Sequence, residues 1–160
     1  MSANRKFLVV SDNTEECEAA AMYAAMRVKA VGAGLVIMRV ARVPGIGHWR
    51  GLDEAMRTEA RDAALFELRA MAERVKARVG IEPEIVIREG QAVPAIHDVV
   101  GADPAIKVLV LAAGHGKSGP GPLVSRIGKG KPLAERPLAI TVVPGNLSDL
   151  ELREMGGFGG

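Results

Sequence analysis

The chain has 160 residues, of which 48% are hydrophobic and only 3% are aromatic, so a single domain with an aliphatic core is expected. Its 21 basic and 19 acidic side chains give a formal net charge of +2, which provides no electrostatic reason to expect nucleic acid or an anionic membrane as a partner. Cys17 is the only cysteine, which excludes an intramolecular disulfide. The amino terminus is unlike a signal peptide, and no apolar stretch reaches the roughly 20 residues of a spanning helix. We therefore expect a cytoplasmic protein.

Apolar runs bounded by turn residues predict five strands. Most of these runs are continuously apolar, which is typical of strands that helices cover on both faces of a parallel sheet. The third run is less hydrophobic, which indicates a strand at a sheet edge. The predicted strands span residues 7–11, 35–40, 84–88, 106–112 and 138–143.

Helical spacing and capping signals predict a helix after each strand. Asn13 and Glu16 form a helix-start pair, because each side chain can accept a free backbone N–H. This first helix is expected to end at Gly32 or Gly34, where a left-handed residue is tolerated. The other predicted helices cover residues 52–79, a short segment around Pro94, residues 123–135 and residues 147–155.

The regular alternation of strands and helices defines the expected architecture. Such alternation predicts right-handed crossovers and an open parallel α/β sheet with helices on both faces. We expect strand 7–11 at the centre of this sheet and strand 84–88 at an edge. Residues 1–146 are predicted to form the domain, and residues 147–160 a carboxyl-terminal helix with a glycine-rich tail.

A ligand of such a sheet binds beyond the carboxyl ends of the strands, where the strand order reverses. The segments 11–14, 40–43 and 112–119 are expected to meet at that edge. Glycine-rich turns can surround phosphate with backbone N–H groups, and nearby positive charge comes from Lys117, Lys129 and Lys131. The alternative interpretation is a flexible loop without a ligand.

Motifs for catalysis or metal binding are weak in this sequence. Gly116-Lys117-Ser118 resembles the end of a phosphate-binding loop of the hydrolysing type, but Leu111 occupies the position of the motif's first glycine. No local metal-ligand spacing connects the three histidines His48, His97 and His115. Cys17 is interpreted as a packing residue, although the dipole of the first helix could lower its pKa. We therefore expect neither a metal nor an enzymatic activity.

Several segments, in order, resemble the universal stress protein family over residues 5–146: FLVVSDNTEE, GLVIMRV, EGQAVPAIHDVV, VLVLAAGHGKSGPGPLVSRIGKG and RPLAITVVPG. The resemblance implies a five-stranded Rossmann-like fold of the adenine nucleotide alpha hydrolase type. It also implies a homodimer paired through strand 138–143 and, in many members, bound ATP. The loop and the resemblance together give the candidate binding residues Asp12, Val40, Gly114, Gly116, Lys117, Gly119 and Gly128.

The sequence departs from the family's ATP-binding pattern, which is glycine, two residues, glycine, nine residues, glycine, then serine or threonine. Gly116 and Gly119 form the first pair, but Gly128 follows after only eight residues and precedes Lys129. Three functions therefore stay open. The favoured one is a dimeric regulatory module that binds an adenine nucleotide and signals to an unknown protein partner. The alternatives are a nucleotide-free scaffold of the same fold and, with less support, a nucleotide hydrolase.

Overall fold

The computed structural model describes residues 5–12, 14–41, 50–114 and 119–157, and for residues 50–53 it describes the backbone only. Five strands are present in these ranges: β1 (Lys6–Ser11), β2 (Gly34–Ala41), β3 (Glu84–Glu89), β4 (Ile106–Ala113) and β5 (Ala139–Pro144). They alternate with five helices: α1 (Glu15–Val31), α2 (Arg50–Val79), α3 (Ala92–Ala102), α4 (Pro122–Gly128) and α5 (Asp149–Gly156).

The five strands form one parallel sheet in the order β3-β2-β1-β4-β5. The central strand β1 pairs on both sides, and its Phe7 lies opposite Leu35 of β2 and Val108 of β4. The open parallel α/β sheet, the central position of β1 and the edge position of β3 are therefore confirmed.

Both faces of the sheet are covered by helices. Successive residues of β1 point to opposite faces, and Leu8 and Val9 are both 0% exposed. Val9 belongs to a core built with α1, α2 and α5, whereas Leu8 belongs to a second core built with α3 and the residues around α4. None of the helices in the described ranges combines the length and the apolarity needed to cross a membrane.

Two predicted helix boundaries are wrong. The N-cap of α1 is Thr14, whose hydroxyl accepts a hydrogen bond from the backbone N–H of Cys17 at 3.3 Å, so the start signal from Asn13 is misplaced by one residue. The predicted helix at 123–135 is shorter, because α4 ends at Gly128. Gly130 there has φ +77°, a left-handed conformation that ends a helix. The predicted end of α1 at Gly32 is confirmed.

The carboxyl-terminal helix α5 packs against α1. Leu152 is only 3% exposed and joins the core under α1. A Cβ atom on Gly156 would lie 2.8 Å from the Cβ of Met26, so the two helices approach closely at this glycine. Ser148 and Glu151 form a capping box that fixes the start of α5.

Candidate functional site

A cavity of about 910 Å³ opens at the carboxyl end of the sheet, beside β1 and β4. The chain leaves β1 toward β2 and β3 on one side, and it returns to form β4 on the other side of β1. The crossovers on the two sides cover opposite faces, so a crevice forms between β1 and β4. Its volume lies at the upper end of the roughly 300–1,000 Å³ that is usual for small-molecule sites.

The structure brings four of the sequence-predicted residues together around this cavity. Asp12 follows β1, Val40 lies near the end of β2, and Gly114 and Gly119 flank the glycine-rich segment after β4; all four line the cavity. Gly128 does not line it, although the neighbouring Lys129 does. Some sequence-predicted positions lie outside the described residues: the candidates Gly116 and Lys117, the histidines His48 and His115, and residues 42–43 of the segment after β2.

The carboxylate of Asp12 is held by the first turn of α1. Its Oδ1 accepts hydrogen bonds from the Thr14 backbone N–H at 3.1 Å, from the Thr14 hydroxyl at 2.7 Å and from the Cys17 thiol at 2.9 Å. Because Thr14 is also the N-cap of α1, the helix start and the carboxylate orientation depend on the same side chain. Asp12 is therefore positioned before any ligand arrives.

Opposite pKa shifts follow from this contact. Burial opposes ionisation of Asp12, but hydrogen bonds from Cys17 and Thr14 outweigh it and hold the pKa of the carboxyl below its usual value. Burial raises the pKa of the Cys17 thiol to about 11, and the hydrogen bond to Asp12 adds to the rise. At neutral pH the pair consists of a carboxylate and a protonated thiol. The interpretation of Cys17 as a packing residue is consistent with this geometry, and no dipole-lowered pKa is found.

The glycine-rich turn is closed by a backbone hydrogen bond. The N–H of Gly114 donates to the carbonyl of Pro120 at 3.1 Å. A Cβ atom on Gly114 would lie 3.0 Å from the carbonyl oxygen of Gly119, so a larger residue would push the two ends of the turn apart. Gly121 has φ +107° and ψ +162°, a conformation that is essentially restricted to glycine.

Sequence reasoning missed several residues of this wall, among them Gly121, Ser125 and Arg126. The Gly-Pro-Gly-Pro sequence at 119–122 is typical of a turn, and it does not by itself mark Gly121 as a binding residue. A helical spacing of 122, 125, 126 and 129 places Ser125 and Arg126 on the same side of α4 as Lys129, and this pattern could have identified them. Ser125 supplies a hydroxyl to the cavity wall even though the motif position itself holds Lys129.

The contact between Asp12 and Cys17 predicts slow alkylation of the thiol. With a pKa of about 11, Cys17 at pH 8 should react with iodoacetamide on the order of 100-fold more slowly than a free cysteine, because little thiolate forms. Asp12→Asn should raise the rate several-fold, since it removes the carboxylate that disfavours the thiolate. Mass spectrometry of the modified protein over time measures both rates.

The matched control is Asp62→Asn, which removes a carboxylate from an exposed position on α2. Its alkylation rate should equal that of the unchanged protein. Rapid modification of the unchanged protein, or equal rates in the Asp12→Asn and Asp62→Asn variants, would contradict the described contact.

Comparisons with known proteins agree with this architecture. A family model described as the universal stress protein family matches residues 3–124. A universal stress protein from Lactobacillus plantarum is 20% identical, with a TM-score of 0.63 over 89% of this chain and 99% of that one. A universal stress protein in complex with cAMP is 17% identical, with a TM-score of 0.62 over 91% and 100%. A family member from Burkholderia pseudomallei is 16% identical, with a TM-score of 0.59 over 88% and 96%.

A comparison with curated protein sequences gives no significant match. The solved structures share the fold at low identity, and the family model covers most of the chain. The resemblance inferred from the sequence is therefore confirmed, and the chain belongs to the universal stress protein family.

Proposed function

We propose that the protein is a regulatory module that binds an adenine nucleotide, with ATP as the favoured ligand. The observation that carries this proposal is the cavity between β1 and β4, where Asp12 and Val40 share one space with the glycine-rich turn. A similar fold has been solved in complex with cAMP, which supports adenine nucleotides as the ligand class. About 910 Å³ is sufficient for a nucleoside with its phosphates.

The charged side chains around the cavity favour one orientation of the nucleotide. An ionised Asp12 accepts hydrogen bonds and repels phosphate, so the hydroxyl or amino groups of a nucleoside suit this end. Arg126, Lys129 and Lys131 line the same cavity and attract anionic groups. The nucleoside is therefore placed near Asp12 and Val40, and its phosphates near the glycine-rich turn and α4.

The proposed role is regulatory rather than catalytic. The Cys17 thiol is protonated at neutral pH and is a poor nucleophile. Asp12, whose pKa is low, is a weak general base. In the described ranges no group of three acidic, histidine or cysteine side chains is arranged to hold a metal ion. In the proposed role, the protein binds the nucleotide in the cytoplasm and transmits its presence to a protein partner.

A nucleotide-free scaffold is the second candidate. It is favoured by the departure from the family motif, because α4 ends at Gly128 and is followed by Lys129 instead of a hydroxyl residue. In this case the edge strand β5 would be the functional surface. Direct measurement of nucleotide binding separates the two candidates.

The variant Gly121→Val tests the nucleotide site. A β-branched residue at φ +107° is strained by about 1–3 kcal/mol and should displace the turn. The affinity for ATP, measured by calorimetry, should therefore fall at least about tenfold. Gly32→Val is the matched control, since Gly32 also has positive φ (+71°) but lies at the far end of α1. Its affinity for ATP should be unchanged.

Three results would contradict the proposal. The absence of heat with millimolar ATP would favour the scaffold. Undiminished binding in the Gly121→Val variant would place the site elsewhere. Steady release of inorganic phosphate from ATP would show an enzyme.

The dimer is proposed to form through β5. This strand pairs with β4 on one side only, and its Val142 is 41% exposed. An exposed apolar edge strand has unpaired backbone groups that a second copy can satisfy across a two-fold axis. The family resemblance implies the same pairing.

Val142→Lys should convert a dimer into a monomer at micromolar concentration, because a charge would be buried against the second copy. Light scattering measures the mass of each species. Val31→Lys is the matched control, since Val31 is also an exposed valine (36%) but lies at the end of α1; it should stay dimeric. A monomeric unchanged protein, or a dimeric Val142→Lys variant, would refute the pairing.

A further inference from the structure

Three basic side chains line the cavity without acidic partners. Arg126 lies on α4, and Lys129 and Lys131 follow directly after it. Eight ion pairs join described residues elsewhere, and none of them includes these three side chains. Asp12 and Glu16 also line the cavity, but in the described part of the chain no carboxylate forms an ion pair with any of the three basic side chains.

The backbone after α4 holds these three residues in one turn. The N–H of Lys131 donates to the carbonyl of Arg126 at 3.1 Å, and the N–H of Gly130 donates to that of Ile127 at 2.9 Å. With Gly130 at φ +77°, these two bonds form a Schellman motif, which reverses the chain at the helix end. The turn therefore keeps Lys129 and Lys131 beside Arg126.

The Arg126 side chain is attached to the same turn. Its Nε donates to the carbonyl of Pro132 at 3.2 Å, which limits the positions that the guanidinium can adopt. Pro132 cannot extend the helix, which is common just after this motif. The charged groups are thus placed by short-range contacts, so less side-chain entropy is lost when an anion binds.

We propose that Arg126, Lys129 and Lys131 form a polyphosphate subsite that binds the phosphate tail directly, without a divalent cation. This inference rests on the proposed nucleotide function and specifies its ligand as a nucleotide with a polyphosphate tail. At the motif position the chain has Lys129 instead of a hydroxyl residue, so a charge replaces a neutral donor. Cationic side chains bind phosphate oxygens through charge-assisted hydrogen bonds.

Two properties follow from recognition by exposed cations. Affinity should increase with the number of phosphates, from AMP to ADP to ATP, because each phosphate adds negative charge. It should also decrease as the salt concentration rises, since mobile ions screen exposed charges. Chelation of divalent cations with EDTA should leave ATP binding undiminished.

Calorimetry in EDTA with three probes tests the subsite: inorganic tripolyphosphate, adenosine and ATP. The double variant Lys129→Ala/Lys131→Ala should bind tripolyphosphate and ATP about tenfold more weakly and adenosine with unchanged affinity. The matched control, Arg69→Ala/Lys107→Ala, removes two positive charges from exposed residues that do not line the cavity. This control should bind all three probes like the unchanged protein.

A second variant separates position from charge. Gly130→Ala keeps the three cations but strains the turn at φ +77°. Tripolyphosphate affinity should fall several-fold, while adenosine affinity stays the same. An unchanged tripolyphosphate affinity in both the Gly130→Ala and the double-lysine variant would overturn the proposal.

The probes distinguish failure of the subsite from failure of the nucleotide function. Binding of tripolyphosphate without binding of adenosine or preference for ATP would support the subsite and overturn the nucleotide function. Binding of adenosine and ATP with equal affinity, and no binding of tripolyphosphate, would overturn the subsite alone. Loss of ATP binding in EDTA that magnesium restores would also overturn it. No heat with any probe would overturn both.

Discussion

The burial of β1 is the constraint on which the rest of the structure depends. This strand pairs with β2 on one side and β4 on the other, and its apolar side chains are covered by helices on both faces. A strand enclosed in this way has only its ends exposed. Asp12 follows its carboxyl end, so the first polar side chain after β1 lies where the strand order reverses. The position of the cavity is thus a consequence of the core.

The site combines a fixed carboxylate with a turn that depends on glycine. Thr14 caps α1 and also binds Asp12, while Cys17 contributes a protonated thiol to the same carboxylate oxygen. On the opposite wall, Gly121 has a backbone conformation that other residues rarely adopt. In this arrangement the carboxylate of Asp12 is fixed, and the Cys17 thiol is protonated at neutral pH.

The sequence predicted the sheet well because its strands are continuous apolar runs. The weaker hydrophobicity of β3 predicted its edge position, and the alternation of strands and helices predicted the parallel topology. The end of α4 was less predictable. Residues 123–127 continue a helical pattern, and the prediction extended it past Gly130 and Pro132, which are typical helix-ending residues. The hydrogen bonds of the Schellman turn around Gly130 show that the chain reverses there.

The binding residues were predicted in part. Asp12, Val40, Gly114 and Gly119 could be named because each follows or ends a strand at the same sheet edge. The helical spacing of Ser125 and Arg126 shows that they share a face of α4 with Lys129, but that this face lines the cavity depends on the packing of α4 against β4. Gly128 was named from a family motif, but its position in α4 keeps it out of the cavity wall.

A titration of the isotope-labelled protein with ATP, followed by amide NMR shifts, tests the central claim most directly. If the nucleotide binds between β1 and β4, the largest changes should occur at the amides of Thr14, Val40, Gly114, Gly119 and Gly121, which the described geometry places around one cavity. The shifts of amides along the exposed side of α2 should not change. Shift changes concentrated on α2 or α5, or none at millimolar ATP, would contradict the claim that this crevice is a nucleotide site.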